Sequence, residues 1–170
     1  MWINFSLGTE IVNIDKITIN NVQKGFIMKK TLLINATVYP ITSEPIHHCN
    51  VLIEGGKIKK IGIDITSDLN AKIIDCGELF LLPGFIDVHT HLGLYDEGTG
   101  WAGNDANETA EALTPHIRAI DGVYPLDPAF SDAVKSGITT VNVMPGSANV
   151  IGGTTSVIKT TGKNIKKMII

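Results

Sequence analysis

From Thr31 onward, apolar residues gather in short runs broken by Gly, Pro and Asn, which is the pattern of successive β-strands rather than of helices. Three such runs, 31-TLLINATVY-39, 50-NVLIEGGKIKKIG-62 and 72-KIID-75, predict strands. The second contains its own turn: Gly55-Gly56 suits the positive φ values of a two-residue type I′ hairpin, with Val51, Ile53, Ile58 and Ile61 on its flanks. Short strands joined by Gly turns suggest part of a small β-sandwich over residues 28–82. Upstream, the alternating 10-EIVNIDKITIN-20 is either a real β segment or part of an N-terminal extension, residues 1–27, ahead of a second start at Met28-Lys29-Lys30.

After Pro83 the pattern changes. The stretch 85-FIDVHTH-91 predicts one strand, followed by a polar, Gly- and Asn-rich connection from Gly93 to Asn107 and irregular sequence up to Pro125. Asp127 is then a natural helix N-cap and Pro128 fits the first helical position. Ala129, Phe130, Ala133 and Val134 form one apolar stripe at helical spacing, and Gly137 marks the stop. The β-branched run Ile138 to Met144 predicts the next strand, and 154-TTSVIKT-160 a third. Strand, loop, helix and strand make a β/α unit, so residues 83–170 read as the opening of an α/β domain.

Composition narrows the functions open to such a chain. With 44% hydrophobic and 18% charged residues, 170 residues are enough to bury an ordinary core. A formal charge of −3 leaves no electrostatic footprint for nucleic acid or for a polybasic membrane contact, so the expected partner is a small molecule. No apolar run approaches the roughly 20 residues of a membrane span. The first fifteen residues lack the features of a secretory signal, and a cytoplasmic protein is expected. Cys49 and Cys76 form no C-x-x-C pair and are expected to be reduced, buried thiols.

The chemistry is concentrated in one strand. With a period of two, Phe85, Asp87, His89 and His91 share one face, and Ile86, Val88 and Thr90 the other. The apolar face is expected to pack beneath helices, and the face with two imidazoles and a carboxylate to point into a polar interior. Same-face neighbours lie roughly 6.5 to 7 Å apart, close enough for two leaning imidazoles to share an ion at the about 2.0–2.1 Å of a Zn–N bond. Spacing alone favours an ordinary surface or core pair. Two ligands also fall short of the three or more protein groups of a catalytic zinc site.

The string 83-PGFIDVHTHLG-93, preceded by short strands and by 50-NVLIEGGKIKKIG-62, resembles the opening of the amidohydrolase superfamily. The passage 136-SGITTVNVMPG-146 is similar to that family's second helix-to-strand segment, so the resemblance covers most of residues 31–160. More narrowly, 94-LYDEGTGW-101, 114-TPHIRAIDG-122 and 145-PGSANVIGG-153 look like an imidazolonepropionase-related branch. The resemblance implies the start of a (β/α)8 TIM-type barrel, preceded by part of a small β-sandwich. It implies a metal-dependent hydrolase acting on carbon–nitrogen bonds other than peptide bonds, with His89 and His91 ligating a divalent metal ion, zinc being the expected species. Asp87 is expected to be a supporting carboxylate rather than a proton shuttle.

The family's remaining ligands and its general base find no counterpart among these residues, and a barrel of about 250 residues is represented by two or three β/α units. An inactive fragment is therefore expected: either a non-catalytic truncated remnant or one half of a split hydrolase. An exposed sheet edge implies a homo-oligomer or a complementary chain. Of the other polar groups, His47 and His48 read as a surface pair, His116 as a local contact, and Asp96 and Glu97 as solvated. The loop 145–153 reads as a turn without a phosphate-binding signature.

Overall fold

The computed structural model describes residues 30–66, 70–77 and 79–170, together with the strand backbones Asn4–Leu7 and Glu10–Asn13. The start suggested at Met28, and residues 14–20 of the first alternating stretch, lie outside the described residues. The chain divides into two compact units, Met1–Pro83 and Gly84–Ile170.

The first unit is a mixed seven-stranded sheet. Its strands are β1 (Asn4–Leu7), β2 (Glu10–Asn13), β3 (Lys30–Val38), β4 (Ile46–Glu54), β5 (Lys57–Gly62), β6 (Lys72–Asp75) and β7 (Phe80–Leu81), ordered β2-β1-β7-β3-β4-β5 with β6 also on β3. β3 holds the sheet together. It runs antiparallel to β4, and its other edge is shared by two parallel partners, β6 against Thr31–Ile34 and β7 against Thr37 and Val38. At the break between them Asn35 has φ 59°, and its side-chain amide donates to Asp75 Oδ1 at 3.0 Å. The Gly55-Gly56 turn joins β4 to β5 with both φ angles positive, 59° and 72°, as the sequence predicts. Leu33, Ala36, Cys49 and Val51 form the centre of the core, and both cysteines are free and buried as expected.

In the second unit β8 (Phe85–Thr90) pairs in parallel with β9 (Ile138–Val143), and the helix between them, α2 (Pro128–Lys135), packs on β9. Asp127 caps α2 by accepting the Ala129 N–H at 2.9 Å, and Phe130 carries the helix's apolar stripe into the core with Val141, Val143 and Ile158. A short turn of helix, α1 (Ala119–Gly122), and α3 (Ile165–Met168) complete the unit. The expected β/α unit is thus present.

Two expectations are corrected. The third strand, β10 (Ser156–Lys159), is antiparallel to β9 rather than a further parallel strand. No helix intervenes between Val143 and Ser156, so the chain has no crossover to bring it round and returns directly alongside β9. The apolar face of β8 is also not covered by helices: Ile86 is 64% and Val88 71% exposed. β8 is the edge of its three-stranded sheet, and α2 covers β9 instead. Among the described residues no helix is long and apolar enough to cross a membrane.

Candidate metal site

β8 ends at Thr90, so His89 occupies its last turn of pleat and His91 lies one residue beyond the strand. The Thr90 carbonyl accepts the Met144 N–H at 3.0 Å, which fastens the end of β8 to the end of β9. His91 then begins a tight turn closed by the Leu94 N–H on its carbonyl at 2.9 Å. Gly93 makes that turn with φ 81°, and a Cβ there would sit 2.9 Å from both Phe130 and Val123. Leu94, 2% exposed, is driven into the core behind it.

The two imidazoles meet edge to face, with ring centroids 5.8 Å apart and planes at 83°. His91 is half-buried and His89 exposed. The Nδ1 atom of His91 lies 2.7 Å from the carbonyl oxygen of Met144. Because a carbonyl only accepts, Nδ1 carries a proton, and in the neutral ring the lone pair is therefore on Nε2. This is how metal-binding imidazoles are commonly prepared, with the nitrogen away from the metal donating to a backbone carbonyl. The donor chemistry of the pair therefore fits a divalent cation. Tyr95 closes one side, its ring centroid 6.2 Å from that of His91. Among the described residues no group of three or more His, Cys, Asp or Glu side chains converges on one point.

Asp87 turns along its own strand: Oδ1 accepts the backbone N–H of His89 at 3.1 Å. The other polar groups singled out in the sequence have surroundings of their own. His47 and His48 are both exposed on β4, with His47 Nδ1 3.3 Å from Thr37 Oγ1. His116 is exposed. Glu97 is solvated, but Asp96 is half-buried, holds φ 39°, and accepts the Thr99 hydroxyl at 2.8 Å, so it braces the loop that carries Tyr95. Three backbone donors of the loop 145–153 are held by carbonyls of the earlier connection: Gly146 N–H by Ala106, and Val150 and Ile151 N–H by Ala112.

Three contributors escaped the sequence reading. Asn142 donates through Nδ2 to the Val88 carbonyl at 3.2 Å, and its polarity within the β-branched run 138-ITTVNV-143 was a legible signal. Tyr95 lies in the loop 94-LYDEGTGW-101, with nothing in the pattern to aim it at His91. The Met144 carbonyl leaves no trace in a sequence, since every residue has one.

No family model matches the chain. Among curated proteins it is 38% identical over 114 residues to the amidohydrolase tasK of Hapsidospora irregularis, an alignment that covers 65% of this chain and 12% of that protein. It is 31% identical over 141 residues to a dihydroorotase of Lactobacillus acidophilus, covering 83% of this chain and 27% of the relative. Among solved structures, an amidohydrolase from Thermotoga maritima superposes with a TM-score of 0.73 at 45% identity, covering 82% of this chain and 36% of that one. The chain thus spans well under half the length of each of these relatives.

Proposed function

Because the chain belongs to the amidohydrolase superfamily, we propose that it contributes the first two metal ligands, His89 and His91, to a hydrolase that cleaves a non-peptide carbon–nitrogen bond of a small molecule. The observation that carries this reading is the His91–Met144 hydrogen bond, which leaves the lone pair of the neutral His91 ring on Nε2, in a ring whose centroid is 5.8 Å from that of His89. A divalent cation, zinc in this reading, supplies Lewis acidity toward a carbonyl group and toward water. His91 presents its lone pair in a fixed direction, because the Met144 carbonyl and the Tyr95 ring restrain its rotation. His89, on the open side of the pair, completes the two-nitrogen grip. The edge-on Tyr95 ring limits water's approach to His91 from one side. In this reading β8, α2 and β9 are the first unit of a (β/α)8 barrel, whose chemistry sits at the C-terminal ends of its strands.

Other ligands and the general base would come from further polypeptide. The exposed Ile86 and Val88 favour that elaboration, since a strand laid beside β8 with its covering helix would bury them.

Calorimetric titration with zinc tests the reading. The chain should take up zinc with an affinity that the double variant His89→Ala/His91→Ala lacks. Equal, negligible uptake by both would remove the two histidines from the metal site.

A further inference from the structure

The β8–β9 ladder slips where the histidines begin. Asp87 pairs with Val141 and the next matched pair is Thr90 with Val143, so β8 holds one residue more than β9 across this interval. Such a bulge leaves backbone groups outside the ladder and re-aims the side chains it carries. Within this interval lies one trans peptide unit, whose Val88 carbonyl turns toward β9 and whose His89 N–H turns to the open edge of the sheet. Each is met by a side chain: the carbonyl accepts from Asn142 Nδ2 at 3.2 Å, and the N–H donates to Asp87 Oδ1 at 3.1 Å.

We infer that Asp87 and Asn142 are positioning residues that clamp the Val88–His89 peptide from both ends and thereby set the direction of the His89 imidazole. The orientation of Asn142 supports this. Only its amide nitrogen can donate to a carbonyl, so its Oδ1 is left on the other side, buried and without a partner among the described residues. A buried unpaired acceptor is costly, and turning the amide over would set two oxygens against each other at Val88. The side chain is therefore arranged for the peptide and not for its own hydrogen bonding. The role of Asp87 follows the same logic: what the clamp needs from it is an oxygen acceptor, not a negative charge.

The inference rests on the metal reading for its consequence, but the clamp is measurable without a metal. In the metal-free chain the His89 amide should exchange with solvent slowly. Asp87→Ala should speed that exchange at least about tenfold, whereas Asp87→Asn, which retains the oxygen, should leave it close to wild type. With zinc, Asp87→Ala and Asn142→Ala should each lose about 10- to 100-fold in affinity, the effect typical of removing a group that orients a ligand, while Asp87→Asn keeps it. Thermal unfolding of each variant establishes that it is folded. If Asp87→Ala does not fold, Asn142→Asp, equal in size but without the donor, carries the same expectation for zinc. Two results overturn the inference: unchanged His89 exchange in Asp87→Ala, or loss of zinc by Asp87→Asn as complete as by Asp87→Ala, which would make the charge itself the active feature. Should the wild-type chain bind no zinc, the metal reading fails by itself, and the exchange rates still decide for or against the clamp.

Discussion

His91 Nδ1 and the Met144 carbonyl oxygen, 2.7 Å apart, join the residue just past β8 to the residue just past β9. That contact fixes the tautomer of one imidazole before any cation arrives. In the metal-free chain above the range where histidine protonates, the long-range proton–nitrogen NMR pattern of His91 should show the proton on Nδ1. A proton found on Nε2 would mean that the contact does not exist in solution.

Gly93 is required by both conformation and space. Its φ of 81° disfavours any side chain, and a Cβ would press on Phe130 and Val123 at 2.9 Å. Gly93→Ala should destabilise the chain by about 2 to 4 kcal/mol, combining backbone strain with overpacking. Gly98→Ala, where the nearest atom is Asp96 Oδ1 at 3.4 Å, serves as the comparison and should change stability by no more than about 0.5 kcal/mol. Urea unfolding of the two variants side by side checks the difference.

Burial pushes the thiols of Cys49 and Cys76 up, and the Asp75 carboxylate beside Cys76 raises that thiol further. Both should stay protonated and unreactive at neutral pH, because the thiolate is the nucleophile. A thiol-specific reagent should label neither in the native chain within the time that it labels both in urea. Rapid labelling of the native chain would contradict their place in the core.

Asp75 accepts the Gly77 N–H and the Asn35 side-chain amide, and these bonds hold its carboxyl below the usual carboxylate range. A carboxyl whose value is lower in the folded chain contributes stability above its unfolded value, near pH 4. That contribution is lost as the pH falls through the depressed folded value. Asp75→Asn retains the acceptor oxygen but cannot titrate. Its stability should therefore fall less steeply than wild type on acidification below about pH 4. The group is exposed, so the difference should be small. Chemical unfolding at a series of acid pH values measures it, and parallel curves for the two proteins would contradict the assignment.

Elements fixed by local chemistry were legible in the sequence. Asp127-Pro128 joins a preferred N-cap to a preferred first helical residue, and Gly55-Gly56 turns a hairpin through its own φ preferences. The His-x-His strand could be placed because its alternation is local as well. The direction of β10 depends on what the connection from β9 contains, and a β-type run reads the same in either direction. The exposure of Ile86 and Val88 depends on which neighbours reach β8, which alternation along one strand cannot report. The clamp on the Val88–His89 peptide depends on a register slip between strands whose facing residues lie some fifty positions apart. Asn142 offered a signal as a lone amide in an apolar strand, but not the identity of its partner.

X-ray absorption at the zinc edge, recorded on the zinc-loaded chain, tests the central claim most directly. The predicted spectrum contains the multiple scattering of two imidazole rings bound through nitrogen at about 2.0–2.1 Å, and that signature disappears in His89→Ala/His91→Ala. A shell of light atoms without imidazole scattering, identical in both proteins, would contradict it.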